Sequence, residues 1–345
     1  MCDEEPDSVD YTRSEAKQAA REAFTGLWAA ITTPFDPAGV VDYDALGRDL
    51  DRLTTDLGVD GIFCGGVMGE FWSLAGSERR RLVEVVVDAA RGKCPVIAHT
   101  GHTSPQQAIE LTRHAQKAGA DFAVLINPYY PPASDEGLYR WFETVCAGVD
   151  IGVWLFDTAY SGVSLPLDLI ERLAAIENVC GIKVGRDHAR YLEVLARVGE
   201  AILVCEPSEG TWLENMRDHG QRVFMSSAAP YLYQTPDWQP MRDYTRLALA
   251  GDFTAAAQVA ATLDPVRVLA AKWLHGRPRR FDSIASIKAW AGLLGMSGGP
   301  VRPPLLPPTE AEVAELAADL EAAGLFPGSG PAARARSNGH RPATG

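Results

Sequence analysis

The chain of 345 residues has no apolar run long enough to cross a membrane, and it has no excess of positive charge. Lys and Arg total 32 against 45 Asp and Glu, giving a net charge of −13. That balance excludes non-specific attraction to nucleic acid or to an anionic membrane surface. No Gly-x-Gly-x-x-Gly follows the first strand candidate, so a dinucleotide-binding fold gains no support. No Cys-x-x-Cys occurs among the six cysteines, Cys2, Cys64, Cys94, Cys146, Cys180 and Cys205. They are scattered, several within apolar runs, and read as reduced, buried thiols of a cytoplasmic protein, not as a disulfide or metal framework. The first ten residues are acidic and polar, unlike a signal peptide.

What the chain does have is alternation. Apolar strand candidates at 26–32, 61–65, 95–99, 122–126, 151–156, 179–184, 201–205 and 223–226 are separated by helical patterns. Asp42 is placed to cap a helix over 43–57, Ser77 opens one over 78–91, and Gly119 ends one over 104–118. Further helices are expected over 136–147, 166–176, 188–197, 209–218 and 237–250. Continuously apolar strands imply burial on both faces, as in a parallel sheet. Eight strand–helix units predict an α/β fold, a closed (β/α)8 TIM barrel with a C-terminal helical extension. A doubly wound open sheet is the alternative. The expected organisation is a polar leader over 1–25, helical from about Thr12 to Phe24, and a barrel over 26–250. C-terminal helices over 251–325 (near 252–274, 283–294 and 309–323) and a disordered tail over 326–345 complete it.

One strand carries a lysine: Gly181-Ile182-Lys183-Val184-Gly185. Burial disfavours an ammonium and lowers its pKa, and the neutral amine is what attack on a carbonyl requires. The bland alternative is a lysine at a strand end whose head reaches solvent. In a barrel, chemistry collects where strands end and loops begin. Those ends are Gly65-Gly66-Val67-Met68-Gly69-Glu70, His99-Thr100-Gly101-His102, Asn127-Pro128-Tyr129-Tyr130, Phe156-Asp157 with Tyr160-Ser161-Gly162, Cys205-Glu206-Pro207-Ser208-Glu209, and Met225-Ser226-Ser227. The glycine-rich turn permits close backbone approach, and free N–H groups there would hold a carboxylate.

Four of these stretches, Gly66-x-x-Gly69-Glu70, Pro128-Tyr129-Tyr130, Gly181-Ile182-Lys183 and Gly298-Gly299-Pro300-Val301-Arg302-Pro303-Pro304, occur in order over about residues 26–325. Together they resemble the dihydrodipicolinate synthase/N-acetylneuraminate lyase family of Schiff-base aldolases and dehydratases. The resemblance implies a (β/α)8 barrel, usually a tetramer, whose lysine condenses with the keto carbon of pyruvate or another 2-oxo acid; that lysine maps to Lys183. Mapped onto the strand ends, the expected substrate site is Gly66, Val67, Met68, Phe156, Asp157, Tyr160 and Met225, with Asp157 or Tyr160 taking part if their loop turns inward; Tyr130 matches a family tyrosine that often reaches across a subunit interface.

The chain departs from the family pattern at telling places. Val67 and Met68 replace hydroxyl residues, Phe156 replaces a proton-carrying tyrosine, Glu206 replaces a glycine, and Val184 replaces an acidic residue. The loop from Asp157 to Gly162 lacks the arginine of the synthase branch. These changes argue against dihydrodipicolinate synthase itself. Glu206, Tyr130, Asp157, Tyr160, His99 and His102 remain as acid–base candidates, with Glu206 foremost because a carboxylate in an apolar strand end suits proton transfer. Its alternative is a salt bridge, and Glu70 is expected to fasten a loop.

The resulting expectation is a cytoplasmic, homo-oligomeric lyase that uses Lys183, Glu206 and Tyr130 on a small carbonyl substrate. No metal or organic cofactor is implied. The alternatives are a barrel turned binding or regulatory protein, and a hydrolase or isomerase using Glu206 and a histidine.

Overall fold

Eight short strands pair in parallel in the order β7-β6-β5-β4-β3-β2-β1-β8. They are β1 (Gly26–Ala30), β2 (Gly61–Cys64), β3 (Val96–His99), β4 (Phe122–Ile126), β5 (Gly152–Thr158), β6 (Val179–Gly185), β7 (Leu203–Cys205) and β8 (Val223–Ser226). The computed structural model describes residues 9–275 and 282–325. The tail expected over 326–345 and the first eight residues of the leader lie outside the described residues. The strands form a nearly closed (β/α)8 barrel, and the open-sheet alternative is discarded.

The helices between the strands are those the polar and apolar periods predict: α2 (Tyr43–Asp51), α3 (Gly76–Ala90), α4 (Pro105–Ala118), α5 (Asp135–Ala147), α6 (Leu167–Ala174), α7 (His188–Val198) and α8 (Glu209–Asp218). They follow α1 (Ala16–Ala23) and precede α9 (Ala229–Leu232) and α10 (Pro240–Leu249). Asp42 caps α2 through a bond from the Ala45 N–H, and Gly119 ends α4 in the left-handed conformation that glycine adopts without strain. The single helix expected over 252–274 is broken into α11 (Phe253–Ala261) and α12 (Asp264–Ala270). Pro265 explains the break: it has no N–H to continue the helix, and it sits in the first turn of α12, where none is needed. The last described elements are α13 (Asp282–Leu293) and α14 (Glu310–Ala322).

Alternate side chains of each strand face opposite ways. The outward set packs against the helices, and the inward set fills the barrel with Trp28, Phe63, Ile97, Val124, Trp154 and Met225. The two tryptophans need glycine opposite them. A Cβ on Gly61 would lie 2.2 Å from Trp28, and one on Gly181 would lie 2.4 Å from Trp154. Gly181 is therefore part of the lysine strand for steric reasons. Gly181→Ala is expected to cost about 2 kcal/mol through overpacking; a denaturant midpoint equal to that of the parent would show the indole has room to move.

One end of the barrel is sealed. Phe24, just after α1, stacks at 4.2 Å on Trp28 and meets Trp154 and Phe122 at tilted angles, 4.4 and 4.8 Å between ring centres. The Tyr11 hydroxyl donates to the Asp121 carbonyl at 2.5 Å and accepts from the Gly152 N–H at 2.9 Å. Access is thereby left to the opposite mouth. The seam between β7 and β8 is stitched by a side chain. The Gln221 amide donates to the carbonyls of Glu206 and Val223 at 3.0 and 2.8 Å, and accepts from the Glu206 N–H at 3.2 Å.

Candidate active site

Lys183 stands on β6 between Phe156 of β5 and Cys205 of β7, in register with both. Inward alternation points it into the barrel, and it is only 6% exposed. Its Nζ lies 5.1 Å from the Phe63 ring centre and 4.9 Å from that of Phe156. The amine has no hydrogen-bond partner among the described residues. Desolvation lowers its pKa to about 8. Cys205 acts in the opposite direction, but its own thiol is pushed up to about 12 by burial and stays protonated.

A cavity of about 490 Å3 opens above the amine. Met68, Phe156, Thr158, Tyr160, Lys183 and Arg186 line it, with Ser208, Ser226 and Tyr233 on the far wall. Of the residues expected from the sequence, Lys183, Phe156, Met68 and Tyr160 are brought together here. Val67 is buried beside them in the interior cluster. In the turn above, the Gly66 carbonyl accepts from the Gly69 and Phe71 N–H groups, and the Val67 carbonyl accepts from Glu70. The N–H groups of Gly66, Val67 and Met68 are left without a partner among the described residues, and the anion-binding edge expected of the turn falls to them.

Other expected residues are elsewhere. Met225 is fully buried among barrel side chains and is not in the cavity wall. Asp157 follows Phe156 and so faces outward, where its carboxylate holds Arg186 at 2.7 Å. Tyr130 is 74% exposed on the loop after β4. Glu206 is buried, but its Oε2 turns away to accept from His188 Nδ1 at 2.8 Å, Thr211 Oγ1 at 2.9 Å and Asn215 Nδ2 at 2.9 Å. Its placement gives no support to proton transfer at Lys183, and it removes the observation that favoured a Glu206 hydrolase. His99 is packed under Phe71 and Arg79, and burial together with the arginine keeps its pKa well below the usual value. His102 lines a separate cavity of about 180 Å3 with Arg79 and Tyr129.

Thr158 and Arg186 are additions. Thr158 is two residues beyond Phe156, and the strand period of two carries it to the same inward face, a signal present in the sequence. Its Oγ1 accepts from the Tyr160 N–H at 3.3 Å. Arg186 is held by Asp157 through Nε at 2.8 Å and by the carbonyls of Thr158 and Val163 through Nη2. Its Nη1 has no partner among the described residues, and no local sequence pattern announces that arrangement.

A (β/α)8 barrel with a desolvated, unpartnered lysine on its sixth strand defines the class of amine-bearing aldolase-type barrels. The profile of the dihydrodipicolinate synthetase family matches residues 23–323, and the chain belongs to that family. Among curated relatives it is similar to the 4-hydroxy-tetrahydrodipicolinate synthase of Syntrophobacter fumaroxidans, 32% identical over 307 residues, which cover 88% of this chain and 100% of that one. The enzyme of the same name from Neisseria meningitidis serogroup B is 32% identical over 303 residues, 87% of this chain and 98% of that one. Among solved structures, dihydrodipicolinate synthase from Aquifex aeolicus is 29% identical with a TM-score of 0.76, covering 88% of this chain and 99% of that one. A prophage protein of the same family from E. coli K12, solved in complex with pyruvate, gives the same four figures.

These relatives overturn one expectation. Val67, Met68, Phe156, Val184, Glu206 and the missing loop arginine argued against dihydrodipicolinate synthase itself, yet curated relatives at 30–33% identity over nearly their full lengths bear the synthase name. These departures do not remove the chain from the company of synthases, and the exclusion is withdrawn. No helix among the described residues is long and apolar enough to cross a membrane.

Proposed function

We propose that the protein is a lyase in which Lys183 forms a Schiff base with a 2-oxo acid, pyruvate or a longer relative. The observation that carries this reading is the desolvated Nζ, with a pKa near 8 and no hydrogen-bond partner, at the floor of a substrate-sized cavity. The neutral amine adds to the keto carbon, and loss of water gives a protonated imine. That cation draws electrons from the neighbouring carbon, so a bond one atom further out is made or broken. The Val67 and Met68 N–H groups offer two donors to the acid's carboxylate. With Phe156 in place of a phenol, the hydroxyls of Thr158 and Tyr160 in the wall are the proposed proton carriers. Arg186 Nη1 is left for an acceptor on the distal part of the substrate. A second copy of the chain covering the exposed Tyr129 and Tyr130 loop fits the homo-oligomer expected from the sequence.

The test is reductive trapping. A panel of aliphatic and aromatic 2-oxo acids is incubated with the protein and borohydride, and peptides are weighed. A mass gain on the Lys183 peptide that requires both acid and borohydride is expected for at least one acid. Failure across the panel, with any turnover retained by Lys183→Ala, would overturn the Schiff-base reading.

A further inference from the structure

The buried Glu206 carboxylate serves neither the cavity nor an arginine, and what it does hold is a histidine. Oε2 already accepts from the Thr211 hydroxyl and the Asn215 amide, so it is an acceptor toward His188 as well. Nδ1 of His188 therefore carries the hydrogen, and the lone pair is on Nε2. A carboxylate that fixes one ring nitrogen of a half-exposed histidine is the outer partner commonly seen behind a metal-ligating imidazole.

His188 has further company. Glu214 on α8 and His219, the residue that ends α8, each bring a ligand atom to within 4.8 Å of the others and of one from His188. The two imidazole centres are 6.1 Å apart. Around a tetrahedral zinc with bonds of about 2.0–2.1 Å, ligand atoms stand about 3.4 Å apart. Closing the difference needs up to about 1.5 Å of movement, shared between the solvent-exposed Glu214 side chain and the two partly exposed imidazoles. All three residues reach solvent, so an ion has a way in.

We propose that His188, Glu214 and His219 bind a divalent transition ion of the zinc type, with water as the fourth ligand and Glu206 as the positioning residue behind His188. The site is independent of Lys183. It ties the first turn of α7 to the end of α8, beside the seam of β7 and β8 that a glutamine side chain stitches. Its role is that of a staple. Imidazole and carboxylate donors favour zinc over magnesium or calcium.

The experiment uses the full chain without an affinity tag, stripped of metal by a chelator and titrated with Zn2+ against a chromophoric competitor. One equivalent is expected to bind, and excess Zn2+ is expected to raise Tm by about 5 °C. Glu214→Gln and His219→Ala should each abolish that rise. Glu206→Gln, which removes no ligand, should weaken the affinity about 10–100-fold. Since Glu214 is exposed, its variant keeps the fold and decides the matter if His219→Ala or Glu206→Gln proves unstable. Absence of binding in the parent chain, or one equivalent bound with undiminished affinity by Glu214→Gln and by any folded His219→Ala, overturns the proposal.

Discussion

Lys183→Met is expected to abolish turnover and borohydride trapping while making the fold more stable at neutral pH. The two effects have one cause. An ammonium at this depth has lost its water, and the pKa near 8 against the usual 10.5 measures that loss. The gap corresponds to roughly 3 kcal/mol. The faces of Phe63 and Phe156 attract the cation and offset part of it, so the expected gain on replacement is about 2 kcal/mol. Below pH 8 both the folded and unfolded chains carry the proton, and the burial cost is felt in full. Between about 8 and 10.5 the unfolded chain binds more protons than the folded one, so the parent gains stability as pH rises and the advantage of the methionine shrinks. The catalytic counterpart in the parent is a rate of imine formation that rises about tenfold per pH unit toward pH 8 and then levels, as the neutral amine becomes the main form. Chemical denaturation of both chains at pH 7 and pH 10 tests the first claim. A variant less stable than the parent at pH 7 would show that the lysine is held by packing, not tolerated for its chemistry.

The barrel was legible because its signals are local and repeated: each strand is an apolar run, each helix has a period or a cap, and eight units leave few ways to close. Lys183 was legible for the same reason, since a charged residue inside such a run is conspicuous. Strand alternation would also have separated Phe156 and Thr158, which face the amine, from Asp157, which does not. Glu206 defeated the reading because a residue just past a strand end is no longer bound by that alternation; its direction is set by partners 5–18 residues away, at Thr211, Asn215 and His188. The free edge of Arg186 was equally out of reach, because it depends on how the loop after β5 folds back over the next strand. The Gly181 beside the lysine looked like a family signature, and its physical reason, the indole of Trp154, emerges only from the pairing register.

Lys288→Met is expected to cost about 3–5 kcal/mol, because it strands a buried carboxylate. Glu70 and Lys288 are both fully shielded from solvent and lie 3.0 Å apart. Each ammonium proton has its own acceptor: Glu70 Oε1, the Thr33 carbonyl at 2.8 Å and the Pro300 carbonyl at 2.5 Å. Glu70 in turn accepts from the Arg302 N–H at 2.9 Å through Oε2. Arg302 grips Glu78 with two bonds of 2.8 and 2.7 Å. The late Gly298–Pro304 stretch and the Gly66–Glu70 turn, distant in sequence, are thus one clamp. Glu70 occupies it with a φ of 56°, a left-handed conformation that a non-glycine residue keeps only when its surroundings insist. Burial lowers the Lys288 pKa and Glu70 pulls it back up, so the pair depends on both members. Glu70→Gln combined with Lys288→Met removes both charges, and the double variant should recover much of the stability that the single lysine replacement loses. The same turn presents Met68 to the cavity, so Lys288→Met should also weaken capture of the 2-oxo acid, visible as a higher acid concentration for half-maximal trapping at Lys183. Denaturation midpoints of the two single variants and the double variant form the test. If Lys288→Met alone costs less than about 1 kcal/mol, or the double variant is no better than that single one, the clamp is not held by this ion pair.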